Sequence, residues 1–162
     1  MERRGFPKPV VDKSFVARYD AIIMSNASPS YRVVCAVIRH PIDTDCYLAA
    51  QRPANDPQLP GMWEFPGGKI EPGESEVEAL KREIREELAL EIEAGAALTI
   101  SRWSYPRFHI ELIPFLCTTT STDLHPVDHQ CVKWTPLDAL MALSWAPADV
   151  PIVKELIRIV KP

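Results

Sequence analysis

Residues 31–39 read YRVVCAVIR, β-branched and almost continuously apolar through the middle, the pattern of a strand buried on both faces. Residues 40–46 read as a turn, and residues 47–52 (YLAAQR) as the return strand of a hairpin. A loop carrying Pro53, Pro57 and Pro60 leads to a short strand at Trp63, Glu64 and Phe65. Turns follow at Gly67-Gly68 and Pro72-Gly73. The period then changes from two to 3.6: Val77, Leu80, Ile84 and Leu88 make the apolar stripe of a helix. Residues 96–105 and 108–118 read as two paired strands, and residues 131–134 as another short one. Thr135-Pro136, with Asp138, reads as a helix start, an N-cap followed by Pro at the first helical position. A last helix is predicted over about 151–160. The sum is an α/β fold, a mixed sheet with helices on its faces.

Residues 1–31 show no comparable pattern. They hold Pro7, Pro9, scattered charges and a short apolar patch at Ile22 and Ile23. After Met24 comes Ser-Asn-Ala-Ser-Pro-Ser, a loop composition. We divide the chain into an N-terminal extension, 1–31, and one folded domain, 32–162. Two readings of the extension stand side by side. Met24 is an alternative start and residues 1–23 are dispensable, or the extension packs on the domain or on a second subunit.

A length of 162 residues suits one domain with a sizeable core. The net charge of −4 gives no basis for non-specific binding to polymeric nucleic acid or to anionic membranes. A phosphate-bearing ligand would therefore have to be met by local cations and metal. No apolar run approaches the length needed to span a bilayer. Arg3 and Arg4 are not followed by an apolar core, so no signal peptide is apparent. Cys35, Cys46, Cys117 and Cys131 form no C-x-x-C pair, which argues against zinc. Cys35 and Cys117 lie in apolar runs and read as buried thiols, consistent with a reducing cytoplasm. His125 and His129 read as incidental loop residues rather than ligands.

The chemistry concentrates between Gly67 and Leu90. Glu83, Glu86 and Glu87 stand at i, i+3 and i+4, which stacks three carboxylates on one helix face. Like charges so placed repel, and a divalent cation with oxygen preference offsets the cost. The competing reading is a solvated surface helix, with Glu78-Arg82 and Arg82-Glu86 as ordinary i, i+4 pairs. Gly67, Gly68 and Gly73, flanking Glu71 and Glu74, favour the ligand reading, because glycine lets backbone approach a ligand closely.

Gly68, Glu74, Arg82, Glu83, Ile84, Glu86, Glu87 and Leu90 together resemble the Nudix box, G-x5-E-x7-R-E-U-x-E-E-x-G-U, U being a bulky aliphatic residue. The departure is Ala89, where the family has Gly. That Gly ends the helix in a left-handed turn, so a modified helix end is expected here. The resemblance covers about residues 32–156 and implies the Nudix fold, an α/β/α sandwich with a mixed sheet. Residues 63–75 and 49–53 resemble MutT-type nucleoside triphosphate pyrophosphohydrolases and the bacterial CTP pyrophosphohydrolases. The tail at 145–153 (WAPADVPIV) is most similar to the latter group.

By that resemblance, Glu86, Glu87 and the carbonyl of Gly67 are metal ligands. Glu83 is a ligand or the general base, positioned by Arg82 and Glu74. Asp128 matches a position where relatives carry a Glu that helps with metal or water, and its shorter side chain would reach only if the loop moved inward. The implied ion is Mg²⁺, with Mn²⁺ as a substitute. Arg52 and Lys69 are the phosphate-binding candidates, each with a surface-charge alternative. Arg107 is a weaker one, because the MutT-like pattern has its basic residue one position later, where this chain has Phe108.

Asp149 is the base-reading candidate, matching an Asn in MutT proper. An ionised Asp accepts only and would favour an exocyclic amine such as that of cytosine, whereas a protonated one also donates and would admit oxidised purines. Its alternative is to cap the last helix. Trp145 is a pocket wall or simply core. The implied reaction is metal-assisted hydrolysis of a nucleoside triphosphate, CTP, dCTP or a modified dNTP such as 8-oxo-dGTP, to monophosphate and pyrophosphate. The alternatives are another nucleoside diphosphate derivative as substrate, a sugar nucleotide or dinucleoside polyphosphate, or a non-catalytic nucleotide-binding module. The expected assembly is a monomer or homodimer.

Overall fold

Alternation along the first strand sets the layers. The computed structural model describes residues 28–161, so the expectations for residues 1–27, a start at Met24 among them, lie outside the described residues. Strand β1 (Ser30–Arg39) sends Val34, Ala36 and Ile38 into one hydrophobic cluster and Cys35 and Val37 into another on the opposite face. Helix α1 (Glu76–Leu88) covers the first face with Ala79, Leu80, Ile84 and Leu88. Helix α2 (Val150–Val160) covers the second with Ile152, Val153 and Leu156. Full burial of each Leu or Ile contributes about 1.5–3 kcal/mol. The result is the expected α/β/α sandwich.

The sheet is mixed. β1 runs parallel to β7 (Phe108–Thr118) over ten residue pairs, from Ser30↔His109 to Arg39↔Thr118. On its other edge β1 takes β4 (Gly67–Lys69), which brings Cys35 opposite Gly67. The expected hairpin between β1 and β2 (Cys46–Gln51) shrinks to one pair, Arg39↔Tyr47, because β4 occupies the edge it would need. β2 pairs instead with β8 (Cys131–Pro136) along its whole length, and through Ala50 and Gln51 with β3 (Trp63–Glu64).

Two further expectations need correction. The strand expected over 96–105 is two strands, β5 (Glu93–Ala97) and β6 (Ser101–Tyr105), which pair with different parts of β7. Between them Thr99 turns to α2, its N–H and hydroxyl both donating to Glu155. Nor does a helix start at Thr135. The residue before a proline is held to extended backbone, so β8 continues through Pro136, and a 3₁₀ helix (Leu137–Ala142) follows without a side-chain cap.

Candidate active site

The loop before α1 and the first turns of the helix are tied together by one guanidinium. Arg82 donates from Nε and Nη2 to Glu74 at 2.6 and 2.9 Å, from Nη1 to Glu83 at 2.9 Å and Glu86 at 3.3 Å, and from Nη2 to the Lys69 carbonyl at 3.1 Å. The Arg82 hydrogen bond holds the Glu74 carboxyl down at about 2. Glu78 does not pair with Arg82. It completes a capping box instead, accepting from the Ser75 backbone and hydroxyl, which satisfies donors that the helix start leaves open.

Glycine is required twice here. A Cβ on Gly67 would overlap the Val34 carbonyl oxygen of β1, and one on Gly68 would overlap the Glu83 carboxylate. Glu83 thus lies directly over the backbone of the Gly-Gly turn. At the helix end Ala89 adopts the left-handed conformation itself (φ 52, ψ 33), its N–H donating to the Arg85 carbonyl at 3.0 Å. The modified helix end expected there is not seen; the same turn forms with a less suitable residue.

Glu87 faces inward. Burial, with Glu64 and Glu83 nearby, pushes its carboxyl up to about 7 against the opposing pull of His129 and the Gly67 N–H. Its Oε2 is buried without a hydrogen-bond partner among the described residues. The loop before β8 is fastened over this helix end, His125 N donating to Leu88 O and Val127 N to Glu87 O, both at 3.0 Å. These bonds occupy carbonyls that a helix C-terminus leaves free. Asp128 stays exposed, while His129 turns inward to Glu64 Oε1 at 3.0 Å.

Beside the Gly-Gly turn opens a cavity of about 330 Å³. Its lining combines polar groups, Arg52, Glu64, Gly67, Gly68, Lys69 and Asp149, with the rings of Tyr31, Phe65, Tyr105 and Phe108. Tyr105 and Phe108 stack with centroids 4.6 Å apart, and the Lys69 Nζ lies 4.0 Å from the Tyr31 ring centre. Arg107 lies exposed in the β6–β7 turn, not on a strand, and it is Phe108 that enters the cavity.

Asp149 reaches the cavity through a second connection. Trp63 N donates to Ser144 O, and Ala146 N to Trp63 O, so the chain before α2 runs alongside β3. Asp149 is 4% exposed, and its Oδ1 accepts from Phe65 N at 2.9 Å. It occupies the N-cap position of α2 by backbone only, with no side-chain cap. Burial, reinforced by Glu64, pushes its carboxyl well above the usual carboxylate range. Trp145 is core rather than pocket wall: its Nε1 donates to Leu140 O at 2.6 Å and its ring packs behind Phe65 at 4.7 Å.

Comparison with known proteins decides the family. The NUDIX domain model matches residues 30–156. The chain belongs to the Nudix family. It is a hydrolase with the Nudix fold. It is similar to the CTP pyrophosphohydrolase of Escherichia coli K12, with 34% identity over 66% of this chain and 78% of that one. The 8-oxo-dGTP diphosphatase of the same organism is 31% identical over 67% and 84%. Among solved structures, MutT of methicillin-resistant Staphylococcus aureus 252 shares 34% identity over 82% of this chain and 99% of its own, with a TM-score of 0.64.

Nudix hydrolases generally use divalent cations, and the donor set here fits one. Glu87 Oε2 is an orphaned buried acceptor, Glu83 is pressed against the Gly-Gly turn, and Glu86 is open to solvent apart from Arg82. No three His, Cys, Asp or Glu side chains among the described residues form a ready-made cage. Two residues of this region were not singled out from sequence as site residues: Glu64, which lines the cavity, and His129, which hydrogen-bonds to Glu64. Glu64 could have been suspected as a carboxylate next to the Gly-Gly run; nothing in the spacing marks His129. No helix among the described residues is long and apolar enough to cross a membrane.

Proposed function

We propose that this Nudix hydrolase converts nucleoside triphosphates to nucleoside monophosphate and pyrophosphate with Mg²⁺, acting on CTP or dCTP or on oxidised dNTPs such as 8-oxo-dGTP. The observation that carries the reading is the make-up of the cavity: aromatic rings and a buried carboxyl share its lining with Arg52, Lys69 and the Gly-Gly turn. The names borne by the relatives agree with it. Four free thiols, three of them buried, support a cytoplasmic setting.

In this reading Tyr31, Tyr105 and Phe108 hold the base, and Asp149 Oδ2 meets its polar edge while Oδ1 stays with Phe65. A neutral Asp149 both donates and accepts, which admits cytosine and oxidised purine alike. Arg52 and Lys69 meet the phosphate chain. Glu86, Glu87 and the Gly67 carbonyl hold the cation, which when bound neutralises phosphate charge and makes a coordinated water more acidic. Glu83, held by Arg82, takes a proton from the attacking water. Water adds at phosphorus, the α–β anhydride bond breaks, and pyrophosphate leaves.

The test is pyrophosphate release with Mg²⁺ from CTP, dCTP, 5-methyl-dCTP and 8-oxo-dGTP, with Glu87→Gln as control. Turnover lost in the variant is the expected result. No turnover of any triphosphate would overturn the reading in favour of a diphosphate derivative or a binding module.

A further inference from the structure

Glu64 is the point at which three separate parts of the chain meet. Its Oε1 accepts from His129 Nε2 at 3.0 Å and its Oε2 from Arg52 Nη1 at 2.8 Å, while Arg52 Nη2 donates to Asp56 at 2.7 Å. His129 comes from the loop before β8, Glu64 from β3, and Arg52 and Asp56 from the loop after β2. The His129 side chain is 4% exposed. A carboxylate only accepts, so Nε2 carries the hydrogen of that bond. His129 Nδ1 and Arg52 Nε are buried without partners among the described residues. His129 therefore has no second anchor should Glu64 turn away, and Arg52 keeps only Asp56.

The geometry around Arg52 gives this chain a purpose. Glu64 and Asp56 each engage a different terminal nitrogen, so each nitrogen keeps a second hydrogen for an anion. A carboxylate free to rotate would instead grip the guanidinium with both oxygens, the stronger arrangement, and occupy its fork. The His129 bond turns Oε1 to the imidazole and leaves only Oε2 on Arg52. Arg52 and Glu64 both line the cavity beside Gly67 and Gly68.

We propose that His129 is a positioning residue for the phosphate end of the cavity: it fixes one oxygen of Glu64 so that the other presents Arg52 to the substrate phosphates. This rests on the assignment of Arg52 to the phosphates in the reading above. Only an uncharged N–H donor of the right reach is needed, so Gln, whose amide nitrogen stands in for Nε2, substitutes for His, and Leu does not.

The experiment measures calorimetrically the affinity of the full chain for an α,β-methylene nucleoside triphosphate, with and without Mg²⁺, alongside KM and kcat. His129→Leu is expected to weaken binding about tenfold in both conditions, with the loss in KM rather than kcat, and His129→Gln to stay within about twofold of wild type. Should the Leu variant not fold, His129→Asn, whose amide stops one methylene short, takes its place with the same expected loss. Unchanged affinity in the Leu or Asn variant, or a Gln variant as weak as they are, overturns the proposal. Arg52→Ala separates the two levels. If it loses affinity while the His129 variants do not, His129 alone was misassigned; if it binds normally, the reading of Arg52 falls and takes this proposal with it.

Discussion

Arg82 grips Glu74 with two nitrogens, at 2.6 and 2.9 Å, and uses Nη1 to reach Glu83 at 2.9 Å. The loop carboxylate and the helix carboxylate are thereby set at a fixed offset. Arg82→Lys keeps the charge but loses the fork, so kcat should fall by about 100-fold, as when a reacting group is misplaced. A variant with wild-type kcat would show that Glu83 needs no such support.

Glu74 also supplies a pH signature. Arg82 holds its carboxyl at about 2, below the ordinary 4.5. Its stabilisation is therefore present above about pH 4.5 and lost as pH falls towards 2. The Tm difference between wild type and Glu74→Gln should be largest at neutral pH and shrink through that window. A difference that stays constant to pH 2.5 would contradict the pairing.

The two glycines of the turn predict opposite failures. In Gly67→Ala the added methyl meets β1 backbone, which cannot move away. Stability should drop by at least ~2 kcal/mol. In Gly68→Ala the methyl meets the Glu83 side chain, which can swing aside. The fold should hold while kcat drops about 100-fold. Melting curves and steady-state kinetics on the same two proteins check both halves.

Glu87, raised to about 7, must lose its proton to bind a cation. Mg²⁺ affinity by calorimetry should therefore weaken as pH falls from 8 to 6. In Glu87→Gln it should be weak and nearly flat over that range. A wild-type affinity independent of pH would remove Glu87 from the ligand set.

Asp149 gives the reverse sign to Glu74. Its folded carboxyl is raised well above the ordinary 3.8 by burial. The stability linked to it is full below that value and is lost as pH rises through the folded pKa. Asn keeps an oxygen for Phe65 N and cannot ionise. Asp149→Asn should thus melt higher than wild type at pH 8, with the gap closing towards pH 4. The ranking of CTP against 8-oxo-dGTP should shift in the same variant.

The left-handed Ala89 invites repair. A non-glycine residue in that conformation costs about 1–2 kcal/mol. Ala89→Gly recovers part of it against the entropy glycine adds to the unfolded chain. We expect a Tm gain of about 2–4 °C. A loss would mean that the end of α1 tolerates Ala without strain.

What was legible from sequence was local. The 3.6 period of Leu80, Ile84 and Leu88 specified α1, and the spacing of Glu83, Glu86 and Glu87 fixed their shared side. Even there Val77, counted in the apolar stripe, is 38% exposed, and Ala79 takes the buried place. Contacts between distant segments left no such trace. His129 finds Glu64 across 65 positions, because a loop is pinned to the end of α1 by backbone bonds that any residue type could make. Trp145 became core because β3 recruited the chain beside it, and a lone aromatic carries no sign of which neighbour it will meet.

The parallel β1–β7 pair has a consequence for how the protein comes into being. β1 is made early, yet its partner β7 is synthesised only after β2, β3, β4, α1, β5 and β6 have been added. Parallel pairing over such a separation demands a large loop closure before it returns any contact, a slow step. Until then a nascent chain displays YRVVCAVIR with its β7 edge and the face that α2 covers both open, a segment prone to join its own copies. The cavity draws its lining from segments as far apart as β1 and the turn before α2, so it is completed only when Asp149 has been added.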